Sequence, residues 1–350
     1  MKYLVYPFFI LAFLSCTNER CDDADKECLS QKAQNHITRN IKYYEKYLNT
    51  PLDERIFSAP KELLEFVNID NRKIDIPNRV KVSSSLNKIL PLTKKALQEI
   101  PKVVKEKFEK KLIGIFLLDD LGSTGFTDSI RDKDGNDIGA FIILDAGVLN
   151  KRKANKWATW KENSPFKTGE YQLKLKIESE EDNNIKNAIQ YILLHELGHV
   201  VAVNSKIHPS WSKKIKDLKL ENYNFINFSW KKEKNNNEYE LVSQFTNNDY
   251  KPYENLVYYY GAKLESNDMP KVYQKLSQTN IPTLYGVMNM GDDWAESFVT
   301  YVHTVLMKKP FELKIFKNDQ EIYKHELCYF NGKCPKKINF LKSYFNSNSQ

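Results

Sequence analysis

The apolar positions along the chain fall into segments of different period. Leu4 to Leu14 is an apolar run of eleven residues with Pro7 inside it. A helix needs about 20 residues to cross a bilayer, so this run reads as the core of a leader peptide rather than a span. The polar stretch after it, residues 16–30, reads as a tether. Ile37, Ile41, Tyr44 and Leu48 then recur at helical spacing, Lys61 to Val67 follows Pro60 as a short helix, and Thr93 to Lys111 is helical with a break near Pro101. Residues 31–110 are therefore expected to form a helical N-terminal part.

Leu112 to Leu118 and Ala140 to Leu144 are short continuous apolar runs and read as buried strands. Residues 119–138 between them are rich in Asp, Gly, Ser and Thr and read as a loop. Asn184 to Val203 is a helix with apolar residues nearly all round, the signature of a buried element. Residues 204–255 show no clear period. Gly291 to Met307 is a further helix with Asp292 and Asp293 near its N-terminus, where carboxylates are favoured. The expected class is α+β: a helical part at 31–110, a main domain at 111–320, and a tail at 321–350.

Composition changes this picture little. Hydrophobic residues make up 41% and charged residues 28% of the 350, an ordinary globular balance. The formal charge of +8 is spread among glutamates, with no run of five basic residues and no basic patch interleaved with aromatics, so a nucleic-acid partner is not expected.

The chemistry sits in the buried helix. His195-Glu196-Leu197-Gly198-His199 places two histidines four residues apart. On a helix their directions differ by about 40° with about 6 Å of rise, so both imidazoles can reach one zinc ion. Zinc lowers the pKa of a water it binds, and Glu196 is placed to take that proton and pass it to a leaving amine. Buried imidazoles and a carboxylate are costly without partners, which favours a functional site.

This pattern resembles the zincin metallopeptidases. Ala202 and Ser205 stand where the metzincin subgroup carries its Gly and third His, so the resemblance points to the gluzincin arrangement, with a glutamate on a later helix. Asp292-Asp293-Trp294-Ala295-Glu296 looks like that helix, and the resemblance implies Glu296 as third zinc ligand, with His208 or Asp293 as replacements. Thermolysin-like enzymes place an aspartate four residues after the ligand glutamate; here that residue is Thr300. The strand 140–144 takes the place of the edge strand that pairs with substrate, and His303 and Tyr285 are candidates for stabilising the oxyanion. Trp157 to Phe166 is aromatic-rich and suits a pocket wall, whereas His36 and His325 read as surface residues. The implied activity is zinc-dependent hydrolysis of peptide bonds in a peptide or protein substrate. The alternative is a surface protein that binds a protein partner and keeps zinc for structure.

Phe13-Leu14-Ser15-Cys16 resembles a bacterial lipoprotein signal, which implies removal of residues 1–15, acylation of Cys16, export and attachment to a membrane. The remaining cysteines form two close pairs, and Cys21–Cys28 with Cys328–Cys334 is the simplest connectivity, suited to an oxidising compartment.

Overall fold

The computed structural model describes residues 21–77, 79–210, 213–245 and 255–347. The expected leader and the lipidation at Cys16 lie outside the described residues. In chain order the elements that matter are α1 (Lys26–Gln34), β1 (Ile56–Ser58), α2 (Lys61–Lys73), β2 (Lys81–Val82), α3 (Leu86–Gln98), α4 (Lys102–Phe108), β3 (Leu112–Asp119), β4 (Gly125–Arg131), β5 (Asp137–Asp145), α5 (Ala154–Asn163), β6 (Tyr171–Lys176) and α6 (Ile185–Ala202). They are followed by β7 (Trp230–Asn235), β8 (Glu238–Ser243), α7 (Met269–Leu276), α8 (Met290–Tyr301), β9 (Glu312–Lys317), β10 (Gln320–His325) and α9 (Pro335–Asn346).

The main sheet has the order β1-β3-β5-β4, with β2 also on β3. β1, β3 and β5 are parallel, and β4 runs antiparallel to β5 at the edge. β3 is buried along its whole length because both sheet faces are covered. Leu112, Ile115 and Leu117 face a core shared with α3, α4 and α6, while Ile113, Phe116 and Leu118 face a second core shared with α1 and α2. From Ile115 to Leu118 the faces alternate with the period of two that a strand with two buried faces produces, and the register irregularity between Leu112 and Gly114 offsets the start of the strand.

Several expectations are corrected. Residues 31–110 are not a separate helical part: they supply β1 and β2 to the sheet and helices to both of its faces. Residues 21–30 are not a tether, since α1 begins at Lys26 and buries Leu29 and Ala33. Residues 321–350 are not a loose tail: β10 pairs with β9, and α9 buries Lys337, Leu341 and Phe345. The segment 119–138 contains the edge strand β4, and the strand at 140–144 lies inside the sheet. Half of β4 is polar, so its strand pattern is hidden in the sequence. Two disulfides, Cys21–Cys28 and Cys328–Cys334, close the two short loops. The hairpin β7–β8 turns on Asn236 and Asn237, both at positive φ, a geometry that Asn tolerates. No helix among the described residues is long and apolar enough to cross a membrane.

Candidate metal centre

α6 starts at a cap, where the Asn184 side chain accepts from the Asn187 amide, and then passes through the core beneath β4 and β5. At Gly198 it meets α8. A Cβ on Gly198 would lie 2.9 Å from the Ala295 Cα, so only glycine permits this approach. The Trp294 indole donates to the Gly198 carbonyl at 2.7 Å and locks the crossing. The close packing turns Asp292 and Glu296, one turn apart on α8, toward the two histidines.

Asp292 Oδ1 lies 3.6 Å from His195 Nε2 and 3.4 Å from His199 Nε2. The three ligand atoms lie within 4.8 Å of one another. Zinc with bonds of about 2.1 Å in tetrahedral geometry has ligands about 3.4 Å apart. Two imidazoles and one carboxylate at this separation fit such an ion. Asn289 sets the third donor: its carbonyl caps α8 by accepting from the Gly291 and Asp292 amides, and its amide donates to Asp292 Oδ2 at 2.6 Å. That leaves Oδ1 to face the histidines.

Glu296 is therefore not the third member of the group. Its Oε1 lies 2.9 Å from His195 Nδ1, on the far side of the ring from Asp292, and also accepts from Lys161 Nζ at 2.9 Å. Its Oε2 accepts from the Thr283 hydroxyl at 2.6 Å. A carboxylate this close to the outer nitrogen restrains the ring electrostatically, although the contact lacks hydrogen-bond alignment. The pair of carboxylates four apart that the resemblance sought at 296 and 300 occurs one turn earlier, at 292 and 296. Thr300 is buried on the same helix.

The electrostatics favour a cation here. Burial lowers the pKa of His195, but Asp292 and Glu296 outweigh it and raise the imidazole to about 10. Burial would raise Asp292, yet the two histidines hold it well below the usual carboxylate range. For Glu296 burial is again opposed, by the Lys161 ammonium first and then by His195, and the carboxyl stays ionised. Lys161 is itself buried among Glu296, Glu162 at 3.8 Å and the Tyr285 ring at 4.4 Å.

Glu196 rises from the next position on α6 toward β4. The Thr127 hydroxyl donates to its Oε2 at 2.6 Å, and Oε1 lies 2.5 Å from where a Cβ on Gly125 would be. Two cavities of about 390 and 400 Å³ open on either side and share Gly125, His195, Glu196, Tyr285, Asn289 and Asp292. One side is polar, with Arg39, Asp128 and Arg131; the other is aromatic, with Trp157, Tyr191, Tyr258, Tyr259 and Tyr285. Trp157 and Lys161 come from α5, so the aromatic-rich segment does form a wall.

The remaining sequence candidates separate clearly. The Tyr285 ring lies 5.6 Å from that of His195 and borders both cavities. His303 borders neither: it sits in a π-helical turn, Val302–Leu306, where its Nε2 lies 2.8 Å from the Ile177 carbonyl and 3.2 Å from that of Pro310. It is a buried structural histidine, not an oxyanion donor, and burial lowers it to about 4. Asp293 points away from the histidines and accepts from Lys337 and from the Trp230 indole. His208 lies against the Pro209 carbonyl in another cavity. His325 is buried against Tyr273 rather than on the surface. Sequence reasoning missed Asp292 as a donor, along with Asn289, Lys161 and Thr127; the Asn-x-x-Asp spacing of a helix cap was the available signal for the first two.

Comparison of the chain with protein-family models, with curated proteins and with solved structures yields no match, so the reading of this site rests on its own geometry.

Proposed function

We propose that this chain is a zinc-dependent peptidase that hydrolyses peptide bonds. The observation that carries the reading is the convergence of His195, His199 and Asp292, with Glu196 on the cleft side of the same turn. Those three residues would hold the ion. Zinc, when bound, supplies Lewis acidity toward a carbonyl and makes a water more acidic. Glu196 takes the proton from the attacking water and delivers it to the departing amine. Tyr285, whose ring lies 5.6 Å from that of His195 and borders both cavities, would donate to the developing oxyanion. Glu296 and Asn289 keep His195 and Asp292 in their orientations.

The cleft suits an extended peptide. β4 pairs with β5 on one side, and its other edge carries only an isolated bridge, between Asn40 and Arg131, among the described residues. An extended backbone adds to such an edge by main-chain hydrogen bonds. The aromatic cavity beside it accepts a large apolar side chain of the substrate. The two disulfides support the proposal that the protein works outside the cytosol, and acylation at Cys16 would tether it to a membrane.

The test is zinc content together with hydrolysis of a peptide library by wild type and Glu196→Gln. Wild type should hold one zinc per chain and cleave, and Glu196→Gln should hold the same zinc and not cleave. Equal product patterns from both proteins would refute the peptidase reading.

A further inference from the structure

The edge strand holds the base as well as facing the cleft. The Glu196 side chain reaches from α6 to β4, and both its carboxylate oxygens meet β4. Oε2 accepts the Thr127 hydroxyl at 2.6 Å, and Thr127 Oγ1 lies 3.3 Å from the Glu196 carbonyl. Oε1 lies 2.5 Å from where a Cβ on residue 125 would stand, so a side chain there would push the carboxylate from its present position. The backbone of β4 is fixed in turn by its register with β5, Gly125 opposite Leu144 and Thr127 opposite Ile142. Elsewhere on the strand, Asp128 is paired with Arg39 at 2.7 Å.

We propose that β4 is a clamp for Glu196, with Thr127 as a positioning residue and Gly125 as its clearance; the inference rests on the peptidase reading. A glutamate has three rotatable bonds and, left alone in a cleft, populates several rotamers. A hydroxyl bonded to a carboxylate is a short, charge-assisted contact that selects one of them. The same strand offers the stretch of its edge ahead of the Asn40–Arg131 bridge, residues 125–127, to an extended peptide. Base and scissile carbonyl are thus referenced to one rigid element, and their separation does not depend on loops. Misplacement of a catalytic group by about 1 Å is enough to cost about a hundredfold in rate.

The experiment compares Thr127→Val, which keeps the shape and removes the hydroxyl, with Thr127→Ser, which keeps the hydroxyl. For each we would measure kcat and KM on a cleaved peptide, zinc affinity by chelator competition, and the position of Glu196 in a zinc-loaded crystal structure. Thr127→Val should lower kcat by about tenfold to a hundredfold, the range set by losing a hydrogen bond to a charged group. It should leave KM and zinc affinity within twofold and show Glu196 in a changed rotamer, while Thr127→Ser should restore wild-type kcat. The clamp is refuted if Thr127→Val keeps wild-type kcat, if Ser and Val lose equally, if the loss appears in KM, or if Glu196 keeps its rotamer without the hydroxyl. If wild type itself is no more active than Glu196→Gln, the peptidase reading falls and takes the clamp with it.

Discussion

Exchanging the roles of two carboxylates has a measurable consequence. Asp292→Asn removes a charge that lies 3.6 and 3.4 Å from the two ligand nitrogens, whereas Glu296→Gln removes one that reaches the histidine pair at the outer nitrogen of His195. As a floor, a unit charge about 3.5 Å from the Asp292 carboxylate, farther off and less charged than a bound zinc ion, interacts by about 5 kcal/mol at an effective dielectric of about 20. That corresponds to between three and four orders of magnitude in affinity. Loss of a carboxylate behind a ligating histidine costs about 10- to 100-fold. Asp292→Asn should therefore weaken zinc by more than about a hundredfold, and Glu296→Gln by less. Asn289 still donates to residue 292 in the first variant, and Thr283 and Lys161 still meet residue 296 in the second, so both side chains keep their positions. The assay is titration of metal-free protein against a chromophoric chelator, with unfolding of each metal-free variant as a check on stability. If Glu296→Gln loses more zinc affinity than Asp292→Asn, the third donor is Glu296 and the geometric reasoning is wrong.

Three further outcomes follow from the same structure. Gly198→Ala puts a Cβ 2.9 Å from the Ala295 backbone, so α6 and α8 must separate; denaturant titration should show a loss of about 1–3 kcal/mol, with weakened zinc binding alongside. Lys337 pairs with the fully buried Asp293, next to Asp292, and Lys337→Met strands that carboxylate; urea unfolding should show a loss of about 3–5 kcal/mol. Burial lowers His303 and His325 each to about 4 from 6.5, so the unfolded chain takes up their protons first as pH falls. Their stabilisation is complete above pH 6.5 and is lost progressively between there and about pH 4, by about 2 kcal/mol per histidine at pH 5. Unfolding free energies measured from pH 7 to 5 should show this slope, and His303→Gln should flatten it.

The sequence alone determined the elements whose signal is local. The buried helix with His195, Glu196 and His199, the strands at 112–118 and 140–144 and the two close cysteine pairs each declare themselves within a short window, because periodicity and spacing are properties of neighbouring residues. The tertiary structure decided what depends on how elements meet. Which carboxylate of α8 faces the histidines follows from the rotation of that helix, and the rotation is set by the contact of Gly198 with Ala295 and by the Trp294 hydrogen bond. β4 shows little strand pattern because its polar side chains are spent on the cleft, Thr127 on Glu196 and Asp128 on Arg39. The weaving of residues 56–58 into the sheet beside β3 joins positions more than fifty apart, and no local periodicity records a pairing made across that distance.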